Sequence, residues 1–316
     1  MSIRDLPVGE VVGLALDGNR RAIGRLLSFV ERADSEADEI TELTHDRAGG
    51  AHIVGITGAP GAGKSTLTGQ LTRLLPELGF RPAVLAVDPS SPLTGGAILG
   101  DRIRMDTIAG KSVFIRSVAT RGHAGGLALS VPGCVRVFDA AGFDPVIIET
   151  VGVGQVEVDV VGAADTTVVV VNPGWGDAVQ ANKAGLLEVA DVFVINKADR
   201  PGANDTRRDL ELMLDLSHVS GLEDDTGYRP PIIMTTATEG DGVADVWAAV
   251  VAHREHLTTS GQLAVRRAER FRYEVASRVE EQLRSTAASA IAAADISGTH
   301  SPTQVAAEIT NRLIGN

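Results

Sequence analysis

A chain of 316 residues with 44% hydrophobic and 22% charged side chains carries enough apolar material for a principal domain of about 200 residues plus appendages, and excludes wholesale disorder. Its 41 acidic against 29 basic side chains leave a net charge of -12, which repels a polyanionic backbone and argues against nucleic acid as a partner. The single cysteine, Cys134, excludes an intrachain disulfide; no apolar stretch approaches the roughly 20 residues a bilayer requires, and the acidic N-terminus lacks the order of an export signal, so a cytoplasmic protein is expected.

Residues 1 to about 45 place Val11, Val12, Leu14 and Leu16, then Ile23, Leu26, Leu27 and Val30, at helical spacing among charged side chains. Residues 1–48 therefore read as an N-terminal helical extension. From Ala51 the pattern changes to short β-rich runs: AHIVGITG, RPAVLAVD, SVFIRSVA, DPVIIETVG, TTVVVVNP, VFVINKAD and PPIIMTTAT. Helically spaced segments separate most of them, which predicts an α/β domain over 49–257 with a parallel, doubly wound sheet of seven strands. Beyond Thr258 the stretch AVRRAERFRYEVASRVEEQLRSTAASAIAAA is long, amphipathic and nearly free of breakers, and Ser301 and Pro302 suit the start of a last helix through Leu313. Residues 258–316 are expected to form a C-terminal helical arm.

The end of the first core strand carries Gly58-Ala59-Pro60-Gly61-Ala62-Gly63-Lys64-Ser65, which satisfies GxxxxGK[ST] and runs straight into the helical stretch STLTGQLTRLLPELG, whose Thr66 joins the nucleotide-binding candidates. Glycines let successive backbone N–H groups curl around a phosphate, the helix N-terminus adds positive potential, and Lys64 reaches the β- and γ-phosphates. Ser65 is expected to hold Mg2+ by its hydroxyl. At the end of the sixth run, Asn196-Lys197-Ala198-Asp199 reads NKxD. Asp199 can accept from both the N1–H and the N2 amino group of guanine, a donor pair adenine does not offer, which selects GTP over ATP. Lys197 is expected to lay its stem along the purine, and Asn196 to tie this loop to the P-loop or to the base edge. Thr236 and Ala237, at the end of the seventh run, complete the expected nucleotide-binding set.

Two further strand ends are acidic, Asp88 and Glu149, and ligands sit at the carboxyl ends of parallel strands. Either is a candidate for Mg2+. Glu149-Thr150-Val151-Gly152 stands where a nucleotide hydrolase has its DxxG element, with Glu in place of Asp; Gln155 either orients the attacking water or caps the next helix. Asp101 and Arg104, three apart on one helical face, form either a surface ion pair or a magnesium-side ligand and a phosphate-side charge. Asp177 and Lys183 occupy a glycine-interrupted stretch that either changes with nucleotide state or is a solvated helix face. The seven histidines are scattered without a zinc or nickel pattern, and His253 and His256 are expected to face solvent at the end of the last core helix.

Taken together, the P-loop, DPSSPLTGGAILGDRIRM, IRSVATRGHAGGL, IIETVGVGQ, PGWGDAVQANKAGLLEVAD and NKAD closely resemble the MeaB/ArgK family of G-protein chaperones of methylmalonyl-CoA mutase, over about residues 50 to 257. The resemblance implies a metallochaperone-like, dimeric branch of P-loop GTPases, with the outlying helices supporting a homodimer. It implies slow GTP hydrolysis coupled to the loading and protection of adenosylcobalamin on an acyl-CoA mutase. It also implies that the stretch from Gly174 to Leu187, with Asp177 and Lys183, contacts the mutase, and that Asp88, Asp101 and Glu149 lie near Mg2+. The alternatives are a nickel-delivery GTPase, for which this chain lacks clustered Cys and His, and a P-loop kinase or transport-associated ATPase, which NKAD disfavours.

Overall fold

Seven strands, β1 (Ile53–Gly58), β2 (Ala83–Asp88), β3 (Phe114–Ala119), β4 (Val146–Thr150), β5 (Thr166–Val171), β6 (Val192–Asn196) and β7 (Ile232–Thr235), pair in the order β3-β2-β4-β1-β5-β6-β7. Every neighbouring pair is parallel. The structure is a computed structural model and describes residues 3–88, 113–119, 126–150, 162–174, 189–219, 227–294 and 301–315. The Val- and Ile-rich runs form these strands because both faces of the sheet are covered: β1, β4, β5 and β6 are buried at every position. The doubly wound sheet expected from the sequence is therefore the observed one.

Helices α1 (Val8–Leu16), α2 (Arg20–Arg32) and α3 (Glu36–His45) precede the sheet. Asn19 starts α2 by accepting from the backbone N–H groups of Arg21 and Ala22 at 3.1 and 3.2 Å, and the helix buries Ala22, Ile23, Leu26, Leu27 and Val30. That apolar stripe joins α5 (Gly126–Ala140) on one face of the sheet in a cluster that includes Phe114, Phe138, Phe143 and the fully buried Cys134. The opposite face is covered by α4 (Lys64–Glu77) and α7 (Val243–Thr259), whereas α6 (Ala203–Val219) packs on the other side chains of β5 and β6, on the face that carries α2 and α5. The chain continues into α8 (Gln262–Ala293) and α9 (Pro302–Ile314); Ser301 and Gln304 close a capping box at the start of α9, with Pro302 in its first turn. The chain forms two compact units, one running through Ala268 and the other from Glu269 to Asn316. Among the described residues no helix is long and apolar enough to cross a membrane.

The amino ends of β5 and β6 carry a polar network that the sequence analysis did not anticipate. Asp165 and Asp191, both buried, precede the two strands. Arg266 on α8 grips Asp191 through two bonds of 2.9 Å, and Arg267 grips Asp165 at 2.8 and 3.2 Å. His253 Nε2 faces Asp191 at 3.2 Å, while the Thr166 hydroxyl bridges His253 Nδ1 and His52 Nε2 at 2.8 Å each. His253 is 1% exposed, which corrects its expected solvent-facing position: the helix face that carries it turns onto the starts of β5 and β6, and Tyr228 covers it at a ring separation of 4.7 Å.

Candidate nucleotide site

The carboxyl ends of the strands gather the motifs on one edge of the sheet. β1 ends at Gly58, and the loop through Ala59, Pro60, Gly61 and Ala62 returns into α4 at Lys64. The residue before the helix, Gly63, sits at φ 98° and has no side chain with which to cap the helix, so the first N–H groups of α4 carry no side-chain cap. A methyl group at Gly63 would stand 2.2 Å from Asn196 Nδ2, so the tight approach of the two loops requires glycine there. The Lys64 ammonium is buried and donates to the Gly58 and Ala59 carbonyls at 2.6 and 3.2 Å. It is thus a charge held over the loop, and Thr66 follows in the first turn of α4.

The NKAD turn is fixed to this loop from its side chains. Asn196 Nδ2 donates to the Ala62 carbonyl at 2.8 Å, and Lys197, in the left-handed region at φ 60°, donates through Nζ to the Gly61 carbonyl at 2.6 Å. The amide of Asn196 thus serves the P-loop, one of the two roles its position allowed. Its oxygen accepts from the Thr235 hydroxyl and from the Ala237 backbone N–H, each at 3.1 Å. Thr236 and Ala237 therefore belong to a turn that supports Asn196, and Thr235, which the sequence reading passed over, is the partner on β7. The signal for it was a hydroxyl at the last residue of a strand level with NKAD, since Asn196 and Thr235 are register partners. Asp199 ends the turn exposed to solvent.

On the other side of the P-loop, the Ser65 hydroxyl donates to Glu149 Oε1 at 2.6 Å, and Glu149 is fully buried beside it. A hydroxyl and a carboxylate in contact at the start of α4 are hard oxygen donors, the set that suits Mg2+. Asp88 stands at the carboxyl end of β2, two residues beyond Ala86, the register partner of Glu149. Asp101, Arg104, Gly152, Gln155, Asp177 and Lys183 lie outside the described residues.

Sequence and structure comparisons identify proteins that this chain resembles. The family described as Methylmalonyl Co-A mutase-associated GTPase MeaB matches residues 23–292. A putative GTPase of Pyrococcus horikoshii is 48% identical over 270 residues, 85% of this chain and 84% of that protein. A fused isobutyryl-CoA mutase of Cupriavidus metallidurans is 39% identical over 197 residues, 61% of this chain and 18% of that protein. Among solved structures, one described as an LAO/AO transport system kinase superposes with a TM-score of 0.70 at 26% identity, covering 97% of both chains.

Proposed function

The chain belongs to the MeaB family of mutase-associated GTPases, and from that premise we propose that it hydrolyses GTP as a switch serving an adenosylcobalamin-dependent acyl-CoA mutase, methylmalonyl-CoA mutase or a close relative. The observation that carries the reading is the joint made by Asn196: one buried amide holds the P-loop at Ala62 and the β7 turn at Ala237, while the same four-residue motif presents Asp199 to solvent. That joint supports a phosphate cradle and a guanine-pairing carboxylate acting on one nucleotide.

In this reading the capless N-terminus of α4 and the Lys64 ammonium bind the β- and γ-phosphates and oppose the charge that builds on them as the terminal bond breaks. Ser65 and Glu149 would hold Mg2+, with Asp88 and Asp101 as further ligands; the ion would supply positive charge to offset that of the phosphates. Asp199 accepts from the guanine N1–H and N2 amino group, and Lys197 flanks the base. Roles for Gln155 in orienting water, Arg104 at the phosphates, Gly152 as sensor, and Asp177 and Lys183 toward the partner rest on the family motifs. The mutase assignment is supported by the fused relative, whose single polypeptide is named for an isobutyryl-CoA mutase and contains a stretch similar to this chain. A homodimer and a cytoplasmic location belong to the same proposal; exposed Phe271, Val275, Val279 and Leu283, four residues apart along α8, supply an apolar stripe for a second copy.

Two measurements test it. Purified protein given GTP and Mg2+ without an acceptor is expected to release phosphate, with ATP a poor competitor; transfer to a small-molecule acceptor without free phosphate would favour a kinase instead. Affinity capture from the native cell in the presence of GDP or a GTP analogue is expected to retain an acyl-CoA mutase, and capture of none would overturn the partner assignment.

A further inference from the structure

The edge strand β3 is held by more than its pairing with β2. β3 has one hydrogen-bonded neighbour, β2, and its outer side has no strand among the described residues. What grips it is α2. At the start of β3, the Arg20 guanidinium donates to the Val113 carbonyl at 2.8 Å and lies 4.7 Å above the Phe114 ring. In its middle, Arg116 pairs with Glu31 and donates to the Ser28 hydroxyl at 3.2 Å; the Arg116 and Glu31 side chains are only 21% and 12% exposed. A charge pair so shielded costs desolvation that apolar packing of the same volume would avoid, so its use here calls for a role in fixing position.

The position it fixes is that of the strand ends. Arg116 is the register partner of Leu85, and Ala119 that of Asp88, so sliding or fraying of β3 acts first on the carboxyl end of β2. β2 in turn lies against β4, with Ala86 level with Glu149, the carboxylate that touches Ser65. Two tethers from one helix thus reach, through one strand, the side of the nucleotide site where the carboxylates stand. The phosphate loop and the NKAD turn are held independently of this route, by Asn196 and Lys197.

We propose that the Arg116–Glu31 pair, backed by Ser28 and Arg20, is a positioning device for the metal side of the nucleotide site: it holds β3 in register on β2 and so fixes the carboxyl end of β2, which Asp88 closes, against the end of β4 that carries Glu149. The N-terminal helices then serve the Mg2+-dependent part of nucleotide binding, and the base-reading part does without them. The inference rests on the assignment of Mg2+ to Ser65, Glu149 and Asp88 proposed above.

The test separates the two parts of the site by measuring the affinity for a fluorescent GDP in EDTA and again in saturating Mg2+. For Arg116→Gln the tightening produced by Mg2+ is expected to shrink at least fivefold relative to the unmodified protein, while the affinity in EDTA stays within twofold. Arg116→Lys, which keeps the ion pair, is expected to retain most of the Mg2+ effect. Should Arg116→Gln fail to fold, Glu31→Gln, nearly isosteric, carries the same comparison. An unchanged Mg2+ effect in these variants, or a loss of affinity equal in EDTA and in Mg2+, overturns the inference. Unmodified protein whose GDP affinity is indifferent to Mg2+ sinks the metal assignment itself, and the inference with it.

Discussion

Replacing Gly63 by alanine adds one methyl group at the point where two loops meet, and its cost is calculable from the contacts. The new carbon would lie 2.2 Å from Asn196 Nδ2 and 3.5 Å from its Cγ, on a backbone at φ 98°. Holding a non-glycine residue in the left-handed region costs about 1–2 kcal/mol. Asn196 has no free direction in which to yield, because its amide bonds the Ala62 carbonyl at 2.8 Å and its oxygen is held by Thr235 and Ala237. Forcing it back leaves at least one buried polar group unmet, about 1–3 kcal/mol more. The expected loss of stability is therefore about 2–5 kcal/mol, measured by urea unfolding with the m-value unchanged. Gly61→Ala is the control: its φ of 74° imposes the same backbone strain, yet nothing stands within 4 Å of the added carbon, so only about 1–2 kcal/mol is expected. Equal losses in the two variants would refute the claim that Asn196 packs against the P-loop as described.

Four further outcomes follow from the same geometry. Lys64→Ala is expected to abolish phosphate release from GTP with the fold retained by circular dichroism, and normal turnover would remove Lys64 from the phosphate site. Asp199→Asn is expected to weaken GTP at least tenfold, about 1.4 kcal/mol, in a fluorescence titration, and an unchanged affinity would count against base reading. Burial holds the His52 imidazole down to about 4, so it is neutral in the folded chain. Its unfolded value is near 6.5, so this contribution is complete above about pH 6.5 and is lost as pH falls toward 4, by about 3 kcal/mol in all. His52→Gln should flatten that part of the stability profile, and an identical profile would exclude the assignment. Arg267→Met strips the fully buried Asp165 of its bidentate partner and is expected to cost about 3–5 kcal/mol, seen as a fall in Tm on the order of ten degrees.

The strands were legible because most are short runs rich in Val, Ile and Thr, and a sheet covered on both faces demands such apolar runs. The last helix was legible at its start for a similar reason: Ser301 and Pro302 are the chemistry of a helix N-terminus. At the nucleotide site, the motifs sit at strand ends, so that their meeting on one edge follows once the sheet is parallel. What the sequence did not disclose is how the loops are fastened. Thr235 serves Asn196 from 39 residues away, and neither residue marks the other by spacing. His253 looked like a polar residue near a helix end, because its partners Thr166 and Asp191 are 87 and 62 positions earlier and are brought to it by the amino ends of two strands. The clasp of Arg266 and Arg267 is illegible for the same reason. Adjacent arginines on a helix ordinarily face water, and only the burial of Asp165 and Asp191 turns them into anchors.

Cys134 lends the molecule an experimental convenience. Burial pushes its thiol up to about 12, so at neutral pH it stays protonated and shut away from maleimides or nitroxide reagents. As no other cysteine occurs in the chain, the natural protein is already a silent background for attaching probes. A cysteine introduced at an exposed position of α8, such as Glu280, would accept a spin label without any prior substitution. The presence or absence of an interlabel distance would then test whether copies of the chain pair as proposed.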